Sequence, residues 1–250
     1  MNEEIRQLTL VFCKSILKHY TKSYFLSFKL FSREIRNPLY VIYAYLRIVD
    51  EIVDSFEIQD KENIVNNLYE ATFNSLDKNY NINLIIDLFQ HVIKKYKIEK
   101  ELFDSFFKSM LMDIHQNQFT KEELNKYIDG VAICVGKICL KIASNNNDDM
   151  YETNVGTISN IAGAFQKISL IRDIKYDKQI LHRNYLKFIT NDTEFSIFIR
   201  EIKMEIRNGI KGIISLPKGC RLSILLATGI YEVYLSIIIC KKKLKLYHYE

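Results

Sequence analysis

Apolar positions recur along this chain at steps of three and four rather than two. Leu39, Ile42, Tyr43, Leu46, Val49, Ile52 and Val53 keep that rhythm, and Asn37-Pro38 ahead of them reads as an N-cap followed by proline at the first helical position. The pattern predicts a helix from Pro38 through Ser55. Similar amphipathic stretches cover roughly 3–20, 60–77, 83–96, 99–117, 121–143, 151–178, 194–214 and 220–240. Strict alternation never lasts the length of a strand. The polar run from Ser144 to Asp149 predicts a turn between two helices rather than a domain boundary. The expectation is an all-α fold, one helical domain spanning 1–250, with its helices packed around a single core.

Composition narrows this further. With 8 glycines and 2 prolines in 250 residues, the chain lacks the turn signals that a β-sandwich or barrel requires. Apolar residues at 48% and charged residues at 26% exclude a disordered chain. Of the net charge of +5, the tail lysines Lys241, Lys242, Lys243 and Lys245 against Glu250 carry +3, too little elsewhere for a nucleic-acid-binding face. The cysteines Cys13, Cys134, Cys139, Cys220 and Cys240 show no C-x-x-C spacing, which fits a reducing cytosol without disulfides or zinc, and the acidic N-terminus argues against a targeting peptide. The histidines at 19, 91, 115, 182 and 248 show no metal-ligand spacing. One segment raises the membrane question: between Leu222 and Cys240 the only charge is Glu232, and lysines follow. Gly229, Glu232, Tyr231 and Tyr234 within it favour a buried core helix over a membrane span.

Two carboxylate pairs stand out. Asp50 and Asp54 share a face of the Pro38 helix, led in by Tyr43 and Arg47; Asp173 and Asp177 repeat the spacing on a later helix, led in by Gln166 and Ser169. A lone D-x-x-x-D is usually a solvated helix face. These two lie in otherwise apolar helices, where buried carboxylates repel one another unless cations neutralise them. Two pairs facing one cavity would cage hard divalent cations, and Mg²⁺ commonly shares such sites with phosphate oxygens. The residues therefore point to Mg²⁺–diphosphate binding between two helices, with Arg47 adding positive charge.

The wording around these pairs resembles a known family. Ser23-Tyr24-Phe25-Leu26-Ser27-Phe28, followed by Ile42-Tyr43-Ala44-Tyr45-Leu46-Arg47-Ile48-Val49-Asp50-Glu51-Ile52-Val53-Asp54, is similar to the first signature of the squalene/phytoene synthases. Lys121-Glu122-Glu123-Leu124 and then Tyr127, Val131, Ala132, Val135 and Gly136 resemble their central motif. Gly163-Ala164-Phe165-Gln166, Ser169, Arg172-Asp173 and Asp177, with Arg183-x-Tyr185 after them, resemble the second aspartate signature. The matches run in order from about 20 to 235, and the phrases Ile35-Arg36-Asn37-Pro38 and Phe165-Gln166-Lys167 look closest to bacterial phytoene synthases.

The resemblance implies the isoprenoid synthase fold around a hydrophobic cavity and a head-to-head prenyltransferase. Two C20 geranylgeranyl diphosphates would condense through a cyclopropylcarbinyl diphosphate to phytoene, with Mg²⁺ (or Mn²⁺) and without NADPH. It implies metal binding by Asp50, Asp54, Ser169, Asp173 and Asp177, with Gln166 beside them. Arg47, Lys22 and Arg172 would neutralise the departing diphosphate, with Ser23 alongside. Tyr24, Phe28, Tyr43, Tyr127 and Tyr231 would offer ring faces to allylic cations, although each also reads as ordinary core. Ala132, Val135, Gly136 and Cys139 form a small-residue line that serves either close helix packing or a prenyl tunnel; the resemblance favours the tunnel. Cytosolic residence, as a monomer at the surface of the membrane that takes up the product, is the matching expectation.

Several positions depart from the family pattern: Ser169 for a usual asparagine, Glu51 for a frequent aspartate, Lys187 for a proline, and an end that is short of the usual basic C-terminal segment. The neighbouring alternative is the same chemistry on C15 farnesyl diphosphate, giving squalene or dehydrosqualene. An alternative of another class is a non-catalytic family member serving assembly or binding, which would not need all four aspartates.

Overall fold

The computed structural model describes residues 3–55, 57–78 and 81–247, and the side chains of all of these but 22–24 and 242–247. The path is helical almost throughout: α1 (Glu3–Tyr20), α2 (Lys22–Phe28), α3 (Arg33–Asp54), α4 (Lys61–Phe73), α5 (Leu84–Tyr96), α6 (Lys100–His115), α7 (Lys121–Ile128), α8 (Cys134–Ser144), α9 (Asp148–Gln179), α10 (Asp192–Gly212) and α11 (Lys218–Tyr247). Among the described residues no strand forms, and a single isolated bridge joins Gln118 to Asn184. The all-α expectation holds.

Local chemistry sets the boundaries. Asn83, Thr120, Asn147 and Asn191 cap α5, α7, α9 and α10 by accepting from the first-turn N–H groups, and Thr120 completes a reciprocal capping box with Glu123. The polar turn after α8 forms where expected, with Asn145 and Asn146 both in the left-handed region that asparagine tolerates.

The start of α3 is a correction. The helix begins at Arg33, not at Pro38, which lies inside it. A proline there leaves the carbonyl of Glu34 without its helical donor. The Tyr96 hydroxyl supplies the missing hydrogen bond, donating to Glu34 O at 3.2 Å. A side chain 62 positions away thus lets the helix run on through the proline.

Two apolar clusters form. The first gathers α1, α3, α5, α6 and α8, with Tyr45 stacked on Phe89 at 3.8 Å and its hydroxyl bonded to Thr72 at 2.7 Å. The second gathers α7, α10, α11 and the C-terminal half of α9. Val131 and Phe165 pack against both.

Between α7 and α8 the backbone passes through a π-helical turn, Asp129–Ile133. Widening a helix by one residue strands a carbonyl, and Ser109 Oγ on α6 donates to Tyr127 O at 3.2 Å. Gly130 sits in this turn because any Cβ would collide with Ser105 and Ser109 of α6. The stretch 121–143 expected as one helix is therefore two helices joined by a π turn.

Candidate active site

A cavity of about 540 Å³ lies between the two clusters, within the ordinary range for small-molecule sites. Helix α3 contributes Leu39, Ile42, Tyr43 and Leu46 to its wall, and α6 contributes Phe106 and Met110. The opposite side comes from Ile158, Ile161 and Phe165 on α9 and from Ile224, Ala227 and Tyr231 on α11. At the C-terminal halves of α3 and α9 the lining turns polar: Arg47 and Asp50 come from one helix, Gln166, Ser169 and Arg172 from the other.

Helical periodicity produces this gradient. On α3, steps of four and three carry one face from Tyr43 to Arg47 to Asp50; on α9, Phe165, Ser169 and Arg172 do the same. Each helix is thus apolar where it walls the cavity and charged toward its end.

Three of the four aspartates are paired with arginine. Asp50 binds Arg47, whose other terminal nitrogen donates to Glu51 at 2.7 Å, and Arg47 lies 4.2 Å above the Tyr20 ring. Asp173 takes two bonds from Arg172, at 2.9 and 2.6 Å. Asp54 accepts from Arg183 at 2.6 Å. Asp177 is buried and, among the described residues, makes no ion pair within 4 Å. Burial and then the neighbouring charges of Asp173 and Asp54 push its carboxyl up to about 7. The Asp50 carboxyl is raised to about 6 by burial and by Asp54, against the pull of Arg47. Asp54 acts on both, so the two pairs face each other across the polar end of the cavity between α3 and α9.

All donors here are oxygens, the set suited to a hard divalent cation, and each pair supplies two carboxylates. Among the described residues no three acidic, histidine or cysteine side chains converge on one metal position. The residues present are two carboxylate pairs and not a complete protein cage.

Of the residues singled out in the sequence, Phe28, Tyr43, Arg47, Asp50 and Tyr127 line the cavity, as do Gln166, Ser169, Arg172 and Tyr231. Asp54, Asp173 and Asp177 lie outside the lining, behind the rim formed by Asp50, Ser169 and Arg172. The side chains of Lys22, Ser23 and Tyr24, and of the lysines beyond Lys241, lie outside the described residues. Ser169 bonds the Tyr231 hydroxyl at 3.3 Å, and Tyr231 stacks on Phe165 at 4.1 Å. Glu51 is held by Arg47, and Lys187 donates to Gln118, so both departures have local partners.

The small-residue line does two jobs. Ala132, Val135, Gly136 and Cys139 all reach the cavity, but a Cβ on Gly136 would meet Ile158 Cγ2 at 2.8 Å. Gly136 is required for α8 to lie on α9, while its neighbours keep the wall recessed. The buried-helix expectation for 222–240 holds on one face only. Ser223, Ala227, Tyr231 and Leu235 are buried, whereas Leu222 is 65% and Val233 58% exposed on the far side. The helix is long and apolar enough to cross a membrane by length and composition, yet it packs on α2, α9 and α10 and walls the cavity.

Sequence reasoning missed a buried network behind the rim. The Arg183 guanidinium donates to Asp54, to Asp113 O at 3.0 Å and to Val53 O at 3.4 Å. Asp113, buried on α6, accepts from Tyr127 at 2.8 Å and from Tyr185 at 2.6 Å. Tyr20 and Thr21, also at the rim, carried no motif.

Comparison with known proteins agrees with this geometry. The chain is 26% identical over 175 residues to 4,4'-diapophytoene synthase of Staphylococcus haemolyticus, a match that covers 66% of this chain and 58% of the relative. The chain thus spans somewhat over half the length of that curated relative. Its fold superimposes on a dehydrosqualene synthase in complex with ligand (TM-score 0.81, 19% identity, 94% of this chain and 88% of that one). It superimposes equally on squalene synthase HpnC from Alicyclobacillus acidocaldarius (TM-score 0.81, 18% identity, 96% of both chains). The family model for squalene/phytoene synthases matches residues 17–186, most of the chain and both aspartate pairs, and the chain belongs to that family.

Proposed function

We propose that this chain is a prenyltransferase that joins two prenyl diphosphates head to head. The observation that carries the reading is one apolar cavity whose polar end is lined by Asp50, Arg47, Gln166, Ser169 and Arg172, with Asp54, Asp173 and Asp177 next to these on the same two helices. Diphosphate needs cations and an allylic tail needs a dry apolar wall; this cavity supplies both at opposite ends.

Asp50 with Asp54, and Asp173 with Asp177, are the residues that would hold Mg²⁺ or Mn²⁺, with Ser169 as a weaker oxygen donor. When bound, the metal acts as a Lewis acid on the leaving diphosphate. Arg47 and Arg172 bind the diphosphate oxygens and take up charge as the bond to carbon breaks. The apolar wall excludes water that would quench an allylic cation, and the faces of Tyr43, Tyr127 and Tyr231 stabilise it. The first carbon–carbon bond would form with loss of one diphosphate and a proton, giving a cyclopropylcarbinyl diphosphate; its ionisation would release the second diphosphate, and the rearranged cation would end either by losing a proton, as for phytoene or dehydrosqualene, or by taking hydride from NADPH, as for squalene. Phe28 belongs to the same cavity wall, and Lys22, Ser23 and Tyr24 keep the substrate roles that the family resemblance implies in this reading.

Substrate length divides two versions. Phytoene from two C20 units is supported by the motif wording, which looks closest to bacterial phytoene synthases. Dehydrosqualene or squalene from two C15 units is supported by the names of the relatives above and by a cavity of about 540 Å³, which suits the shorter tails better. We favour the C15 version. The exposed Leu222, Leu225, Val233 and Ile237 on α11 support peripheral contact with the membrane that would take up so apolar a product.

The deciding experiment incubates purified protein with Mg²⁺ and radiolabelled farnesyl or geranylgeranyl diphosphate, with and without NADPH. A C30 hydrocarbon establishes the C15 version, and a NADPH requirement for its full reduction separates squalene from dehydrosqualene. A C40 hydrocarbon formed without NADPH establishes phytoene synthesis. No hydrocarbon from either substrate overturns the enzymatic reading in favour of a binding or assembly role.

A further inference from the structure

Asp113 lies at the C-terminal end of α6, outside the cavity lining and outside every motif that the sequence displays. Its side chain is 3% exposed. Three groups from two other segments meet on it. The Tyr127 hydroxyl, from the end of α7, donates to one carboxylate oxygen at 2.8 Å, and the Tyr185 hydroxyl, from the loop after α9, donates to the other at 2.6 Å. Arg183 donates from Nε to the Asp113 carbonyl at 3.0 Å and stands 4.0 Å from the carboxylate.

The geometry has a direction. Tyr127 forms part of the cavity wall, and Arg183 continues outward to Asp54 of the first aspartate pair. The loop bearing Arg183 and Tyr185 is pinned nearby, where Asn184 N donates to Asn117 O at 2.7 Å. Burying a carboxylate is costly, and a mere link between helix ends would not need one. Two oxygens that both accept are needed here, since an amide in the same place would serve one tyrosine and turn an NH₂ toward the other. The carboxylate also stands 4.0 Å from the guanidinium that reaches Asp54, whose hydrogen bond to Asp113 is to the main-chain carbonyl.

We propose that Asp113 is the positioning residue of this site: its carboxylate sets the Tyr127 ring in the cavity wall and sets the reach of Arg183 to Asp54. A phenol that donates to a carboxylate also has a more electron-rich ring, which strengthens the wall against which a cation would form. This role rests on the prenyltransferase reading for its chemical purpose, but the positioning itself does not depend on any substrate.

Asp113→Asn tests it, with Tyr185→Phe as a second variant that removes one donor and keeps the charge. The direct readout is the Arg183 side-chain Nε–H signal in nitrogen-15 NMR of the free protein, assigned by its loss in Arg183→Lys. In the native protein the signal should exchange slowly with water; Asp113→Asn should move it and speed its exchange at least tenfold, and Tyr185→Phe should move it less. In turnover assays Asp113→Asn should lower kcat at least tenfold with KM within threefold. Adding Tyr127→Phe should cost little more than Asp113→Asn alone, since both act through one contact. An unchanged Arg183 signal in both variants overturns the proposal, as does a loss carried by KM or a fully multiplicative double mutant. If the native protein turns over no prenyl diphosphate, the prenyltransferase reading falls while the NMR result still decides the positioning role.

Discussion

Arg183 Nη1 donates to Asp54 Oδ1 at 2.6 Å across 129 positions of sequence, fastening the loop after α9 to the last turn of α3. The guanidinium is 8% exposed and also serves two main-chain carbonyls, so the contact is a junction rather than a surface pair. Removing one partner of a buried ion pair leaves the other charge uncompensated, at a cost of about 3 kcal/mol or more. Arg183→Met should therefore lower Tm by roughly 6–12 °C, a conversion suited to a chain of this length. Differential scanning calorimetry in metal-free buffer checks it, and a fall below 2 °C would show that the junction is dispensable.

The raised carboxyls predict an unusual pH response. The folded-state values, about 6 for Asp50 and about 7 for Asp177, lie above the value of about 4 expected in the unfolded chain. The native state therefore binds these protons more tightly, and their contribution to stability is largest below pH 4 and lost as pH rises through 6 and 7. Melting of the metal-free protein should show this loss between pH 4.5 and 7.5, and millimolar Mg²⁺ with inorganic diphosphate should recover it at pH 7.5. A Tm that rises steadily over that interval without metal would contradict the assignment.

Neutralising these carboxylates should separate stability from function. Asp177→Asn relieves a buried charge without an ion pair, so the metal-free protein at pH 7.5 should gain about 1–2 kcal/mol, or roughly 3–6 °C in Tm. The same variant should lose at least a hundredfold in turnover, and so should Asp50→Asn and Asp173→Asn, all with unchanged helical circular dichroism. Paired melts and product assays on the three variants decide the matter; normal hydrocarbon formation by any of them would remove the aspartate pairs from the proposed chemistry.

Helix periodicity and cap residues made most of this architecture legible in the sequence, because α3, α5, α6 and α10 each carry a regular apolar face with a polar start. Helix α2 escaped because its seven residues are too few to show an apolar rhythm, and two further misses have tertiary causes. Pro38 looks like a helix start until Tyr96 supplies the hydrogen bond that the proline forfeits. The π turn at 129–133 leaves the apolar rhythm of 121–143 intact, and only its contact with Ser109 on α6 marks it. At the site, residues four apart on one helix were visible as pairs, and so was the resemblance to a family with such pairs. Asp113 was not, since a lone aspartate near a helix end ordinarily points to solvent. Its partners come from α7 and from the loop after α9, and no spacing announces their meeting on α6.

The recessed wall of α8 gives a last test, which separates packing from pocket volume. Gly136 touches Ile158 across the α8–α9 contact, so Gly136→Ala should press the helices apart and cost about 1–3 kcal/mol, as overpacking does. Ala132, in the π turn that leads into α8, lines the cavity as well. Ala132→Phe should fill cavity volume with little loss of Tm. It should then reduce kcat/KM for geranylgeranyl diphosphate at least tenfold more than for farnesyl diphosphate, because the longer tail needs the space that the ring occupies. Competition between the two labelled diphosphates, with products resolved by chain length, measures the ratio directly. An equal loss for both substrates would mean that this wall does not measure the prenyl tail, and that chain length is read elsewhere in the cavity.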